Sequence, residues 1–216
     1  MLTMPKAILF DFDGTLANTA PGIVLTMQKT FQEMCLPIPT DEAVRHTIGL
    51  PLKKCVQTLG QLSDKEAEEG TAIYRKLFPV YEIEHISIFP SVSETLSLLF
   101  SQGIRMAICT SRNKFSLDSI LQRYALENYF ETILTADTHQ LNPKPAPDMA
   151  LVLMERLQVN ASQTLVVGDT TFDIEMGNRA HCTTVAVTYG NHSRQQLLSA
   201  NPTHIIDRFD QIVEIV

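Results

Sequence analysis

Lys6-Ala7-Ile8-Leu9-Phe10-Asp11-Phe12-Asp13-Gly14-Thr15-Leu16 is the stretch whose reading decides the fold. Ala7 to Phe10 are apolar without alternation, which fits a strand buried on both faces, as in a parallel sheet. Asp11 and Asp13 then fall at the strand's C-terminal end, where open α/β sheets bind ligands. Gly14 permits a positive φ and so a tight reversal just past the second acid. Two neighbouring carboxylates withdrawn from water are costly without a cation, so the stretch predicts a divalent metal beside them.

The rest of the chain supplies a setting for that strand. From Ala17 to about residue 86 the pattern is helical. Ile23, Met27, Phe31 and Met34 recur at helical spacing behind Pro21. Thr40 with Asp41 and Glu42 forms an N-cap and acidic first turn, and Ser63 to Glu66 fits a capping box. Tyr74, Leu77, Phe78 and Tyr81 line one face of the helix that follows. Strands and helices alternate beyond Pro90. Apolar runs at 105–109, 132–135, 164–167, 184–187 and 203–206 read as further strands, and Ser91 to Glu94 as another capping box. Gly103 reads as a helix stop. The expected class is therefore α/β: a doubly wound parallel sheet of residues 1–16 and 87–216, with an all-helical insert at 17–86.

Totals narrow the function. A chain of 216 residues, 44% hydrophobic, can bury one large core with an insert. The net charge of −7 and the absence of a basic stripe argue against a nucleic-acid partner. No apolar run approaches the ~20 residues of a membrane span, and no signal-like segment opens the sequence. Cys35, Cys55, Cys109 and Cys182 form no CxxC pair. They read as reduced thiols of a cytoplasmic protein. Oligomeric state is not readable.

Four polar clusters follow the strands onto one sheet edge: Asp11 with Asp13, Thr110 with Ser111, Lys144 in a proline-rich loop, and Asp169 with Asp173. Three acids there suit Mg²⁺, a hard cation that prefers oxygen. A hydroxyl, a lysine and backbone N–H groups suit phosphate oxygens. A carboxylate ~4 Å from a phosphate dianion is repelled by ~8 kcal/mol at an effective dielectric near 20. Mg²⁺ and Lys144 would reverse that balance, which makes phosphoryl transfer to a carboxylate a coherent chemistry for the edge.

These motifs, DFDGT at 11–15, Thr110, Lys144 in NPKPAPD and GDTTFD at 168–173, resemble the haloacid dehalogenase (HAD) superfamily, in its phosphatase branch with a helical cap. The resemblance covers essentially the whole chain. It implies a Rossmann-like core and a mobile cap. It implies Asp11 as nucleophile and metal ligand, and Asp13 as general acid–base that also binds Mg²⁺ through its carbonyl. Thr110 and Lys144 would hold the phosphoryl group, and Asp169 and Asp173 would hold or support the metal. Gly14, Thr15, Ser111, Arg112 and Lys53 are further candidates for phosphate or substrate contact. The implied partner is a small phosphorylated metabolite, phosphoglycolate-like. Inorganic pyrophosphate and a β-phosphoglucomutase-like reaction are the enzymatic alternatives, and a binding module on a phosphatase fold is the non-enzymatic one. Mutases of this branch usually carry a hinge histidine about where Ile23 stands, which favours hydrolysis. Two positions depart from the common pattern: Asn18-Thr19 after the first motif, and His181 where relatives often have glycine.

Overall fold

The computed structural model describes residues 5–138 and 140–216; residues 1–4 of the expected core segment lie outside them. β1 (Ala7–Phe10) is the hub of a six-stranded sheet. The other strands are β4 (Arg105–Cys109), β5 (Thr132–Leu134), β6 (Thr164–Gly168), β7 (Thr183–Val187) and β8 (His204–Ile206). All pairings are parallel, in the order β5-β4-β1-β6-β7-β8. The chain winds outward through β4 and β5, then crosses to β6 on the other side of β1. This reversal opens a crevice at the carboxyl ends of β1 and β6.

The apolar run that predicted β1 is buried on both faces. Ile8 and Phe10 join the larger core with Val92, Leu96 and Leu99 of α5 (Val92–Ser101). Ala7 and Leu9 join a second core with Met149, Ala150 and Leu153 of α7 (Asp148–Arg156). Helices on both faces are what lets a strand lack a polar side. α6 (Lys114–Arg123), α8 (Thr171–Arg179) and α9 (Arg194–Ser199) complete the layers.

Between β1 and α5 lie α1 (Ala20–Glu33), α2 (Asp41–Arg45), α3 (Leu52–Gly60) and α4 (Asp64–His85). α1 and α3 both pack on α4. Thr40 caps α2 by accepting from the Ala43 N–H, and the Ser63/Glu66 capping box opens α4, as their residue types predict. The segment is not wholly helical. Ala17–Asn18 (β2) pairs antiparallel with Ser87–Ile88 (β3), tying its two ends together. A two-residue ribbon leaves no periodic signal in a sequence. The capping box expected at Ser91 does not form. Ser91 has φ 63°, and its side chain caps nothing; an N-cap oxygen reaches the helix from an extended backbone. Gly103 does stop α5, at φ 76°.

Candidate active site

Asp11 begins where β1 ends, and its N–H donates to the Val167 carbonyl of β6 at 2.9 Å. Its carboxylate is buried. Lys144, from the loop between β5 and α7, has its ammonium fully enclosed, 2.6 Å from Asp11 Oδ1 and 2.6 Å from Asp173 Oδ1. Asp173 stands in the first turn of α8. Its Oδ2 accepts from the Thr170 N–H and hydroxyl at 3.1 and 2.7 Å. One carboxylate therefore both caps a helix and pairs with the lysine.

Asp169 follows β6 directly. Its Oδ1 accepts from the Thr15 hydroxyl at 3.0 Å. Its Oδ2 accepts from the Asn191 N–H at 2.7 Å and amide at 2.9 Å. The approach is so close that a Cβ on Gly190 would lie 2.2 Å from that of Asp169. Gly14, at φ 95°, is equally confined: a Cβ there would lie 2.2 Å from Asp169 Oδ2. One oxygen each from Asp11, Asp169 and Asp173 lies within 4.8 Å of the others.

Burial, then repulsion from Asp173, Asp169 and Asp13, pushes the Asp11 carboxyl well up despite Lys144. Burial and then Asp173 push Asp169 up to about 7. Burial works against the Lys144 charge, but Asp11 and Asp173 outweigh it and its pKa is raised. With all three ionised, the buried carboxylates would exceed the one ammonium by two negative charges, and the raised pKa values of Asp11 and Asp169 express that repulsion. An all-oxygen donor set with that deficit fits a hard divalent cation.

Asp13 is not in the triad. Its carboxylate is gripped by Arg112, with Nε at 3.0 and 3.1 Å from the two oxygens. Its backbone carbonyl faces the Asn191 amide at 3.3 Å. Arg112 lies 5.1 Å from the Phe78 ring and 5.9 Å from that of Phe12. Thr110 is buried, and its hydroxyl accepts from the Arg112 N–H. Ser111 donates to the Gly49 carbonyl at 2.7 Å, joining the loop before α3 to the sheet edge. Lys53 lines the same pocket, but its ammonium pairs with Asp64 at 2.9 Å and Glu68 at 3.6 Å.

The sequence reading passed over Tyr189 and Asn191. The Tyr189 hydroxyl donates to the Thr15 carbonyl at 2.9 Å. Both residues follow β7 onto the same sheet edge. A polar run straight after a buried strand is the signal that marked the other clusters, so it was available here too. Of the two departures, Asn18 sits in β2 opposite Ser87. His181 adopts φ 59° just past α8, a left-handed conformation that glycine takes without strain.

A pocket of about 250 Å³ opens over Asp11, Asp13 and Thr110, and Ile23, Met27, Tyr74 and Phe78 form its opposite wall. Residues 8–187 match the family model described as Haloacid dehalogenase-like hydrolase. The chain is 37% identical to Probable phosphatase IndB of Dickeya dadantii, over 97% of this chain and 93% of that one. It is 28% identical to a phosphoglycolate phosphatase of Vibrio parahaemolyticus, over 98% and 96%. A solved structure of a haloacid dehalogenase-like family hydrolase from Streptococcus pneumoniae superposes with a TM-score of 0.87 at 25% identity, covering 98% of each chain.

Proposed function

We propose that this chain, which belongs to the haloacid dehalogenase-like hydrolase family and is a phosphatase, hydrolyses a small phosphate monoester with Mg²⁺ through an aspartyl-phosphate on Asp11. One observation carries the reading. A buried carboxylate, paired with a buried lysine, faces both a ligand-sized pocket and an oxygen triad fit for a divalent cation.

In this mechanism Asp11 Oδ attacks phosphorus, and the bond to the alcohol oxygen breaks. Thr110 and Lys144 hold phosphoryl oxygens; the backbone N–H groups of Gly14 and Thr15, expected to join them, instead donate to the Ala17 and Phe12 carbonyls at 2.8 and 3.3 Å and close the turn after β1. Asp13 gives a proton to the departing alcohol, then takes one from the water that cleaves the acyl phosphate. Such acid–base assistance typically contributes ~10²–10⁴. Arg112 fixes the direction of Asp13. Asp11, Asp169, Asp173 and the Asp13 carbonyl would hold the Mg²⁺. When bound, that ion neutralises charge on the acids and on the phosphoryl group. We further assign residues 17–86 as a cap over the site, which excludes bulk water. The β2–β3 ribbon is its natural hinge.

Phosphoglycolate, named for one relative, belongs to the proposed substrate class and is the first compound to assay. Ile23 lines the pocket and offers no proton acceptor, which supports hydrolysis over mutase chemistry. We also assign the reaction to the cytoplasm; four cysteines without a disulfide among them support this. The test is phosphate release from a monoester panel and pyrophosphate, with and without Mg²⁺, for wild type and Asp11→Asn. Metal-dependent release that vanishes in the variant is expected. Equal release from the variant would overturn the reading.

A further inference from the structure

The wall opposite Asp11 sits where the substrate's alcohol portion must lie, and it carries little to greet a second charge. Ile23, Met27, Leu52 and Phe78 present apolar surface there. Three polar groups among them are turned to backbone carbonyls. The Thr47 hydroxyl donates to the Val44 carbonyl at 2.8 Å, the Thr71 hydroxyl to the Ala67 carbonyl at 2.7 Å, and the Cys55 thiol to the Thr47 carbonyl at 3.1 Å. Lys53 is partly exposed, with its ammonium directed to the exposed Asp64 and Glu68 rather than held in the pocket. Arg75 stands at the mouth and is exposed, where an ion pair is screened and weak.

An aromatic surface leads from the proton donor into this wall. Arg112 grips Asp13 and lies over the Phe78 ring; Phe78 in turn stacks on Tyr74, with centroids 5.5 Å apart and planes at 16°. The pocket volume of about 250 Å³ is below the range usual for drug-sized ligands. It leaves space for a phosphoryl group and one modest fragment.

We infer that the phosphate ester taken by this pocket has an uncharged, largely apolar alcohol part of about one ring or a short branched chain, in preference to one bearing a carboxylate or second phosphate. The inference rests on the phosphatase reading above. An apolar fragment exchanges water for methyl and ring contact along the wall. A carboxylate would lose its hydration against that wall, where the buried cation at hand, Arg112, is already paired with Asp13. Each well-placed methylene in such a pocket changes selectivity by roughly tenfold or more.

The test uses esters of similar leaving-group basicity: methyl, propyl, isobutyl and benzyl phosphate beside phosphoglycolate, with kcat/KM measured in Mg²⁺. The expected result is a rise from methyl to isobutyl or benzyl of at least tenfold, with phosphoglycolate below both. In Ile23→Asn the benzyl-to-methyl ratio should fall about tenfold. A ratio within one preparation is unaffected by any misfolded fraction. Phosphoglycolate equal to or better than benzyl phosphate, and lost in Arg75→Met, would overturn this inference while leaving the phosphatase reading intact. No metal-dependent release from any ester would overturn both.

Discussion

Asp169 shows how single residues set this site. Its second oxygen is held wholly by Asn191, through backbone and side chain. Groups that orient a metal ligand typically change metal affinity 10–100-fold when removed. Asn191→Ala should therefore weaken Mg²⁺ binding by about that factor, read by isothermal titration, while the cation-free melting temperature moves little. Unchanged affinity would remove Asn191 from the site. His181 makes the opposite case, since its left-handed backbone costs ~1–2 kcal/mol that glycine avoids, less the ~0.5–1 kcal/mol glycine loses in the unfolded chain. His181→Gly should raise stability by about 0.5 kcal/mol in urea unfolding; a loss would mean that the ring makes compensating contacts. Asp11, Asp169 and Asp173, which the structure brings together, were legible because each stands at a strand or helix terminus, and Lys144 because prolines flank it in its loop. It passed over Asn191, which sits in no charged motif and acts through an amide. It could not foresee that Arg112 turns to Asp13, because a long side chain's direction is settled by packing.

At the scale of elements, β1 carries both fold and site. Leu9 is fully buried in the second core, two residues before Asp11, the proposed nucleophile. Leu9→Ala should cost about 2–5 kcal/mol in chemical denaturation. A cost under 1 kcal/mol would mean that the strand is not the hub described. All six sheet strands were legible: the inner ones because parallel burial writes itself as apolar runs, the less buried edge strands β5 and β8 from their place in the strand–helix alternation. The β2–β3 ribbon and the left-handed Ser91 were not, because two residues make no period and Ser-x-x-Glu says nothing about φ. The Ser63/Glu66 capping box did form, and it titrates. Hydrogen bonds from the Ser63 hydroxyl and N–H lower the Glu66 pKa. A carboxyl lowered in the folded state adds stability above its unfolded pKa of about 4.3, and that contribution is lost as pH falls through the lower folded value. Wild type should thus melt above Glu66→Gln at neutral pH, and the difference should narrow as pH drops below about 4. A gap constant with pH would assign the cap's effect to shape rather than charge.

For the whole molecule, the sheet topology gathers acids from β1 and β6 and from the start of α8, with a lysine from a loop far along the chain. The result is a buried charge deficit, so a divalent cation should stabilise the fold. A hundredfold excess over Kd adds about 2.7 kcal/mol, and the melting temperature should rise with Mg²⁺ but not with matched NaCl. The order of motifs made this gathering legible. The pocket's apolar wall was not, because whether Tyr74 and Phe78 face core or ligand depends on how α4 lies over the sheet. The central claim is that Asp11 carries the phosphoryl group. Its most direct test is acid quench during turnover of a ³²P-labelled monoester, followed by peptide mapping. The account predicts label on the peptide containing Asp11, sensitive to hydroxylamine and absent from Asp11→Asn. Turnover with no labelled protein under single-turnover conditions, or label on another residue, would contradict it.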